Sequence, residues 1–337
     1  MPFRTIAGHS RLRALLSRVI ARDSMPPAVL FAGPPGVGKR LTAVAVAQAI
    51  NCLQPRSSAE FERDACGECA ACRRIARGVH PDVIAIEPGD TGAIKIEQLR
   101  DVIDRSQYRP FEGRKRIVII DQADAAGADA QSALLKTLEE PPSASVFILI
   151  SSMPDALLAT VLSRCPRLRF GPMTAGEVAR VLMDEHECSE ADARAAAADA
   201  DGSIGRALES QSGDLTDARE AARHVLQETA RNTDPVRRIG VARDLTEGKG
   251  TPAEERNRLA TRLRSLGSLL RDVGIIASRA DRGMLANVDL EKQLETLAAS
   301  FDAARSLRAY AAVDRALAAL DRNASPKVVA DWLLLEL

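Results

Sequence analysis

The sequence predicts an α/β protein: a parallel sheet covered by helices on both faces, followed by chain that is helical throughout. Three observations carry this expectation. Short apolar runs alternate with helical periodicities as far as Phe170, and strands separated by crossover helices pair in parallel. A glycine loop of the form G-x-x-x-x-G-K joins the first apolar run to the first amphipathic stretch behind it. Beyond Phe170 strand signals vanish, and Ala, Leu, Glu and Arg dominate to the end.

In chain order, Leu12, Leu15, Leu16 and Val19 lie at helical spacing, and Met25-Pro26-Pro27 ends that helix. Ala28 to Ala32 reads as a buried strand, and Leu41 to Ile50 as the helix after the loop. Cys52 to Cys72 is an insertion with a polar middle, and His80-Pro81 turns the chain into a second strand, Asp82 to Ile86. Ile96 to Ser106 repeats apolar residues at helical spacing through Ile96, Leu99, Val102 and Ile103. Arg116 to Ile120 is the third strand, ending in Asp121. A helix around Gln131 to Leu138 is stopped by Pro141-Pro142. Val146 to Ser151 and Arg167 to Phe170 complete the strands. Gly171-Pro172 marks a hinge and Gly202 to Gly213 a second break. Leu259, Leu263, Leu266 and Leu270 then resume a helical repeat, as do Leu317, Leu320 and the Trp332 to Leu335 region.

With 337 residues the chain is long enough for two or three domains. Aromatics are only 3%, so the cores must be built from Leu, Ile, Val and Ala. Lys plus Arg and Asp plus Glu number 46 each, so net charge does not announce a nucleic-acid binder. No signal-peptide pattern is seen, and no apolar run approaches the roughly 18 residues of a membrane span. The expectation is a cytoplasmic protein without a membrane segment.

Gly33, Gly36 and Gly38 allow the backbone to curl so that several N–H groups face one anion, and Lys39 can reach the outer phosphates. The next position normally carries the Ser or Thr that holds magnesium, and here it is Arg40. Thr42 is turned about 200° round the helix and is a poor substitute. Ile117 to Ile120 ending in Asp121 matches a Walker B element, which sets a carboxylate beside the metal. The residue after it is Gln122, which cannot act as a base. These readings make Gly33, Gly36, Gly38, Lys39, Arg40 and Asp121 a nucleotide site, for ATP or ADP, that has lost its chemistry. Cys52, Cys66, Cys69 and Cys72 supply four thiolates, enough for a closed structural zinc site; an iron–sulfur cluster or unliganded thiols are the competing readings. Cys165 and Cys188 read as free buried thiols, and Ser163-Arg164-Cys165 is weak evidence by itself.

Taken together, Gly33 to Lys39, the four cysteines, His80-Pro81-Asp82, Ile117 to Asp124, Ala133 to Pro142 (ALLKTLEEPP) and Ser163-Arg164-Cys165 resemble the clamp-loader ATPases of bacterial DNA polymerase III. This is a branch of the AAA+ class, and the likeness is greatest to its delta-prime subunits. It covers residues 1 to about 210. The resemblance implies a RecA-like AAA+ parallel-sheet domain over residues 1–170 with a zinc module at 52–72. A small helical lid over 171–212 and an all-α collar over 213–337 would follow, with assembly into a hetero-pentamer with gamma/tau and delta subunits. It implies a role in loading the sliding clamp onto primed DNA as a component of the polymerase III holoenzyme, a nucleotidyltransferase. It further implies that Arg164 reaches a neighbouring subunit's ATP site as an arginine finger. A gamma/tau-like active ATPase is the alternative, but such a subunit should carry Ser or Thr at 40 and Glu at 122. The hydrolysing subunits also place a nucleotide-sensing arginine at what is here Gly205; Arg206 is turned about 100° from it. The charges between Lys95 and Arg116 read as a solvated surface, with DNA contact in the assembled loader as the other reading.

Overall fold

The computed structural model describes residues 1–337 except 90, 201, 210–212, 233, 249, 283–284, 286, 288–289 and 323. The chain divides into two compact units, Met1–Arg206 and Ala207–Leu337. The expected boundary between lid and collar falls at residues 210–212, outside the described ones.

The first unit is built on five strands: β1 (Ala28–Ala32), β2 (Val83–Ile86), β3 (Arg116–Ile120), β4 (Ser145–Ser151) and β5 (Arg167–Arg169). All pairings are parallel, in the order β2-β3-β4-β1-β5. The period of two along each strand sorts the side chains cleanly. Val29, Phe31, Ile117, Ile119, Val146, Ile148 and Ile150 enter one core. Leu30, Val118, Ile120, Phe147 and Leu149 enter the other. The first face is covered by α1 (Ser10–Ala21) and α2 (Lys39–Asn51), through Leu16, Ile20, Ala43 and Val46. The second is covered by α4 (Ile96–Ser106) and α5 (Ala128–Glu139), through Leu99, Val102, Leu134 and Leu138. Between them in sequence, the cysteine insertion ends in α3 (Ala70–Ala76), a short helix that its apolar pattern did not announce. After α5 come α6 (Ala159–Leu162), α7 (Ala175–His186) and α8 (Glu190–Asp199), and α9 (Ile204–Glu209) runs across the boundary of the units.

Two sequence expectations are displaced. The buried face of α1 carries Arg13, Leu16, Ser17 and Ile20, while Leu15 is exposed. The face turns because Arg13 is drawn inward: its guanidinium donates to the carbonyls of Phe3 and Gly8 at 2.7 and 2.8 Å. Arg116 is likewise not part of a solvated charge run. It is buried, paired with the fully buried Asp82 at 3.0 Å, and it donates to the carbonyls of Arg105, Tyr108 and Arg109. The other carboxylate contacts of Asp82 are the backbone N–H groups of Phe111, Glu112 and Gly113, at 2.7 to 2.9 Å. The loop between α4 and β3 is thus wound round one buried ion pair, with Tyr108 and Phe111 facing outward.

The second unit is helical throughout its described residues: α10 (Gly213–Arg231), α11 (Pro235–Thr246), α12 (Pro252–Ala277), α13 (Glu291–Ala298), α14 (Ala303–Asp321) and α15 (Pro326–Glu336). The long α12 opens with Thr251 and Glu254 capping each other and Pro252 in the first turn, which is the chemistry a helix start requires. Its Leu259, Leu263, Leu266 and Leu270 form the spine of a core shared with Val313 and Leu320 of α14 and Leu333 of α15. A leucine so buried contributes about 1.5–3 kcal/mol, which is how a chain poor in aromatics stabilises this unit.

Asp82 is the point where the first unit is most easily broken. Burial pushes its carboxyl up, but the three N–H donors and Arg116 overcome this and hold it down at about 2. A carboxylate depressed in the folded state stabilises above its unfolded pKa, and that contribution is lost as pH falls through about 2. Asp82→Ala is expected to cost about 3–5 kcal/mol, because it strands a buried guanidinium. Urea unfolding at neutral pH, followed by hydrogen exchange at the amides of Phe111 to Gly113, checks both the size and the place of the loss.

Candidate functional site

The loop between β1 and α2 lies at the carboxyl ends of the parallel strands, where sheets of this kind collect ligands. Its shape depends on glycine at two positions in particular. A Cβ on Gly33 would stand 2.1 Å from the carbonyl oxygen of Phe170. Gly36 has φ of +73°, and a Cβ there would stand 2.1 Å from the Ser203 hydroxyl. Gly38, also at positive φ, caps the N-terminus of α2. Residues of the following helical segment close on the loop from its far side, with the Gly205 N–H donating to the Gly36 carbonyl at 3.1 Å.

Lys39 is buried and donates to the carbonyls of Gly33 and Pro34, both at 2.6 Å. Burial lowers its pKa to about 8, against the pull of Asp121 and Asp124. Arg40, by contrast, is half exposed. Its Nη1 lies 3.2 Å from Asp121 Oδ2 and also pairs with Glu87, the residue just past β2. Burial raises the Asp121 carboxyl above its ordinary value, and Arg40 and the Gln122 N–H offset this only in part. Thr42 is fully buried and bonds the Gly38 carbonyl at 3.0 Å, so it offers nothing to a metal at the loop mouth. Gln122 is exposed and left-handed at φ of +50°. The nucleotide residues named from sequence therefore come together, Asp121 facing Arg40 across the loop. Glu87 was missed, since an exposed glutamate after a strand carries no signal of its own.

Arg164 lies after α6, bonded to the Thr160 carbonyl at 2.8 Å and to the Ser163 hydroxyl at 3.1 Å. Its other terminal nitrogen pairs with Glu139, the first glutamate of the LEEPP string. Cys165 beside it is buried, and burial pushes its thiol up to about 11. Cys188 is only partly buried.

The four sulfur atoms of Cys52, Cys66, Cys69 and Cys72 all lie within 4.8 Å of one another, with the Cys52–Cys69 and Cys66–Cys72 pairs at 4.0 Å. A tetrahedron of Zn–S bonds of about 2.3 Å requires sulfurs about 3.8 Å apart. The donor set thus fits one zinc ion held by all four residues. Burial pushes the thiols of Cys52 and Cys72 up, whereas at Cys69 the N–H groups of Cys72 and Leu53 outweigh burial and bring it down to about 6. Backbone N–H groups already point at the sulfurs, the Cys66 and Cys69 amides at 3.3 and 3.2 Å. The cluster is roofed by the start of the chain. Arg4 donates to the carbonyls of Ala65 and Cys66, and Asp64 accepts from the Phe3 N–H at 2.7 Å. Its floor is α2, where Gln48 donates to the Cys72 carbonyl at 2.7 Å.

A loop of the phosphate-binding form after the strand that pairs between β4 and β5, with an aspartate ending β3, is the arrangement of a RecA-like domain of the AAA+ class. Residues 8–174 match the family described as DNA polymerase III, delta subunit. Over 154 residues the chain is 38% identical to the DNA polymerase III subunit delta' of Pseudomonas aeruginosa, covering 45% of each protein. It is 34% identical over 175 residues to the delta' subunit of Bacillus subtilis, 52% of this chain and 51% of the relative. Against the tau subunit of Bacillus subtilis it is 33% identical over 173 residues, 51% of this chain and 30% of the relative. A solved gamma subunit-related protein of Thermotoga maritima aligns over 95% of this chain and 96% of its own, at 17% identity and a TM-score of 0.43. The chain spans about half the length of the delta' relatives it matches. Over the matched segment it is similar to the clamp-loader subunits of DNA polymerase III, the delta' subunits among them. No helix among the described residues is long and apolar enough to cross a membrane.

Two outcomes follow from this geometry. Elemental analysis is expected to give one zinc per chain, and Cys72→Ser to lose it. Stripping the metal should also release the roof, so trypsin should cut at Arg4 faster in the chelated protein. Binding of a polyphosphate against Lys39 should take up a proton above about pH 8, where the free lysine is neutral. Its affinity should fall by at most about tenfold per pH unit there, as calorimetry in buffers of different ionisation enthalpy can read.

Proposed function

We propose that this chain is a delta-prime-like subunit of a DNA polymerase III clamp loader, one that hydrolyses little or no ATP itself and completes a neighbour's active site. The observation that carries the reading is the Arg40–Asp121 contact: a guanidinium stands where a hydrolysing site needs magnesium. Gln122 supports it, since a glutamine cannot polarise the attacking water. The loop, its lysine and Asp121 keep the arrangement that holds ATP or ADP, so nucleotide binding and hydrolysis separate.

Arg164 then provides the catalytic contribution, reaching in trans the ATP of an adjacent gamma/tau subunit. Its place at the surface and its pairing with an exposed carboxylate support this, because such a pair exchanges partners at little cost. Within this reading residues 1–170 are the ATPase-derived domain, 171–212 the lid and 213–337 the collar. The collar joins gamma/tau and delta subunits in a pentamer that loads the sliding clamp onto primed DNA. The four cysteines carry structural zinc. Against a gamma/tau-like active ATPase stand positions 40 and 122 together.

In a loader reconstituted with this subunit, Arg164→Ala is expected to slow turnover at the one adjacent site by on the order of 10³. DNA-stimulated ATPase and clamp loading should fall while the complex still assembles. Wild-type rates from that variant would remove the arginine-finger role.

A further inference from the structure

The carboxylates at the mouth of the loop are not waiting for a metal. Asp121, at the end of β3, and Glu87, past the end of β2, face the same point, and the Arg40 guanidinium is already there. One nitrogen, Nη1, serves both carboxylates. Nη2 and Nε make no hydrogen bond among the described residues, so two edges of the planar group stay free to donate. The contact is fixed from both sides. Arg40 is the second residue of α2, and Asp121 is mostly enclosed, with its Oδ1 taken by the Gln122 N–H at 3.0 Å. A divalent ion entering here would meet one bound positive charge and would lack the hydroxyl that the residue after Lys39 ordinarily supplies.

We infer that Arg40 is the resident cation of this loop: it takes the divalent ion's place, so the site excludes magnesium and accepts a nucleoside polyphosphate without it. Magnesium in such sites bridges phosphate oxygens to the protein and cancels their charge. A guanidinium does both, with its free N–H edges toward the phosphates and its Nη1 on Asp121. It cannot lower the pKa of a water or order a hydration shell, so binding survives and hydrolysis does not. The inference rests on the nucleotide reading above for its ligand, but not for its metal exclusion.

The experiment uses the full-length, zinc-replete protein, its Arg40→Thr variant and the double variant Arg40→Thr/Asp121→Asn. Manganese binding is read by electron paramagnetic resonance, and ATP binding by calorimetry in EDTA and in magnesium. Wild type should show no manganese site at the loop, R40T should gain one, and the double variant should lose it again. ATP should bind wild type equally in EDTA and magnesium, and R40T about tenfold more weakly in EDTA than in magnesium. Manganese bound by wild type as tightly as by R40T overturns the inference, as does a wild-type ATP affinity that rises about tenfold with magnesium. If ATP binds none of the proteins, the nucleotide reading fails and the manganese series alone decides whether Arg40 holds the cation's place.

Discussion

At the mouth of the phosphate loop, a guanidinium on the first turn of α2 meets the carboxylate that ends β3. Most of what distinguishes this chain follows from that contact. A parallel sheet delivers Asp121 to the carboxyl edge, and the glycine loop delivers the helix start to the same edge, so the two are bound to face each other. In a hydrolysing site of this class a hydrated metal fills the gap and relays charge to the phosphates. An arginine at position 40 is long enough to span the gap alone. It pairs with Asp121 and with Glu87. In the proposed reading the charge balance of the site is kept, while the part that activates water is not.

The rest of the first unit is arranged so that this edge is rigid. β3 is anchored at its start by the buried Arg116–Asp82 pair and at its end by Asp121, one strand length away. Breaking a buried pair costs more than forming it contributes, so its value lies in determining one conformation for the loop before β3. That loop supplies three N–H groups to Asp82 and the carbonyls of Tyr108 and Arg109 to Arg116, and the last turn of α4 adds the Arg105 carbonyl. The strand that carries Asp121 thus enters the sheet in a single register.

The sheet was legible because four of its five strands are largely apolar runs of four to seven residues bounded by turn chemistry; Ala28–Ala32, Arg116–Ile120 and the helix Ile96–Ser106 coincide with their sequence readings. The cysteine cluster was legible because four thiols this closely spaced in a sequence are a common metal-ligand pattern. What escaped were polar residues whose role depends on a partner far away in sequence. Arg13 looks like a surface residue of an amphipathic helix until the Phe3 and Gly8 carbonyls are seen above it. Asp64 resembles its polar neighbours, yet it fastens the chain start at Phe3 and Arg4. Glu139 and Glu87 carry no pattern at all, because a single ion pair across a fold leaves none in the sequence.

One helix ties the phosphate loop to the cysteine cluster. α2 begins at Lys39, in the phosphate loop, and is followed at once by Cys52, in the cysteine cluster. Along it Gln48 holds the Cys72 carbonyl, and Asn51 bonds both the N–H and the carbonyl of Lys115 beside β3. Gly33 and Gly36 are equally committed, since any side chain there would collide with Phe170 or Ser203. Lys39 is buried on its own loop's carbonyls. These positions support the packing whether or not a phosphate is present, so changing them would cost the fold. Positions 40 and 122 are both exposed. In the proposed reading, chemistry at this site is lost at two surface positions while the cradle, its lysine and the helix behind them stay as they are.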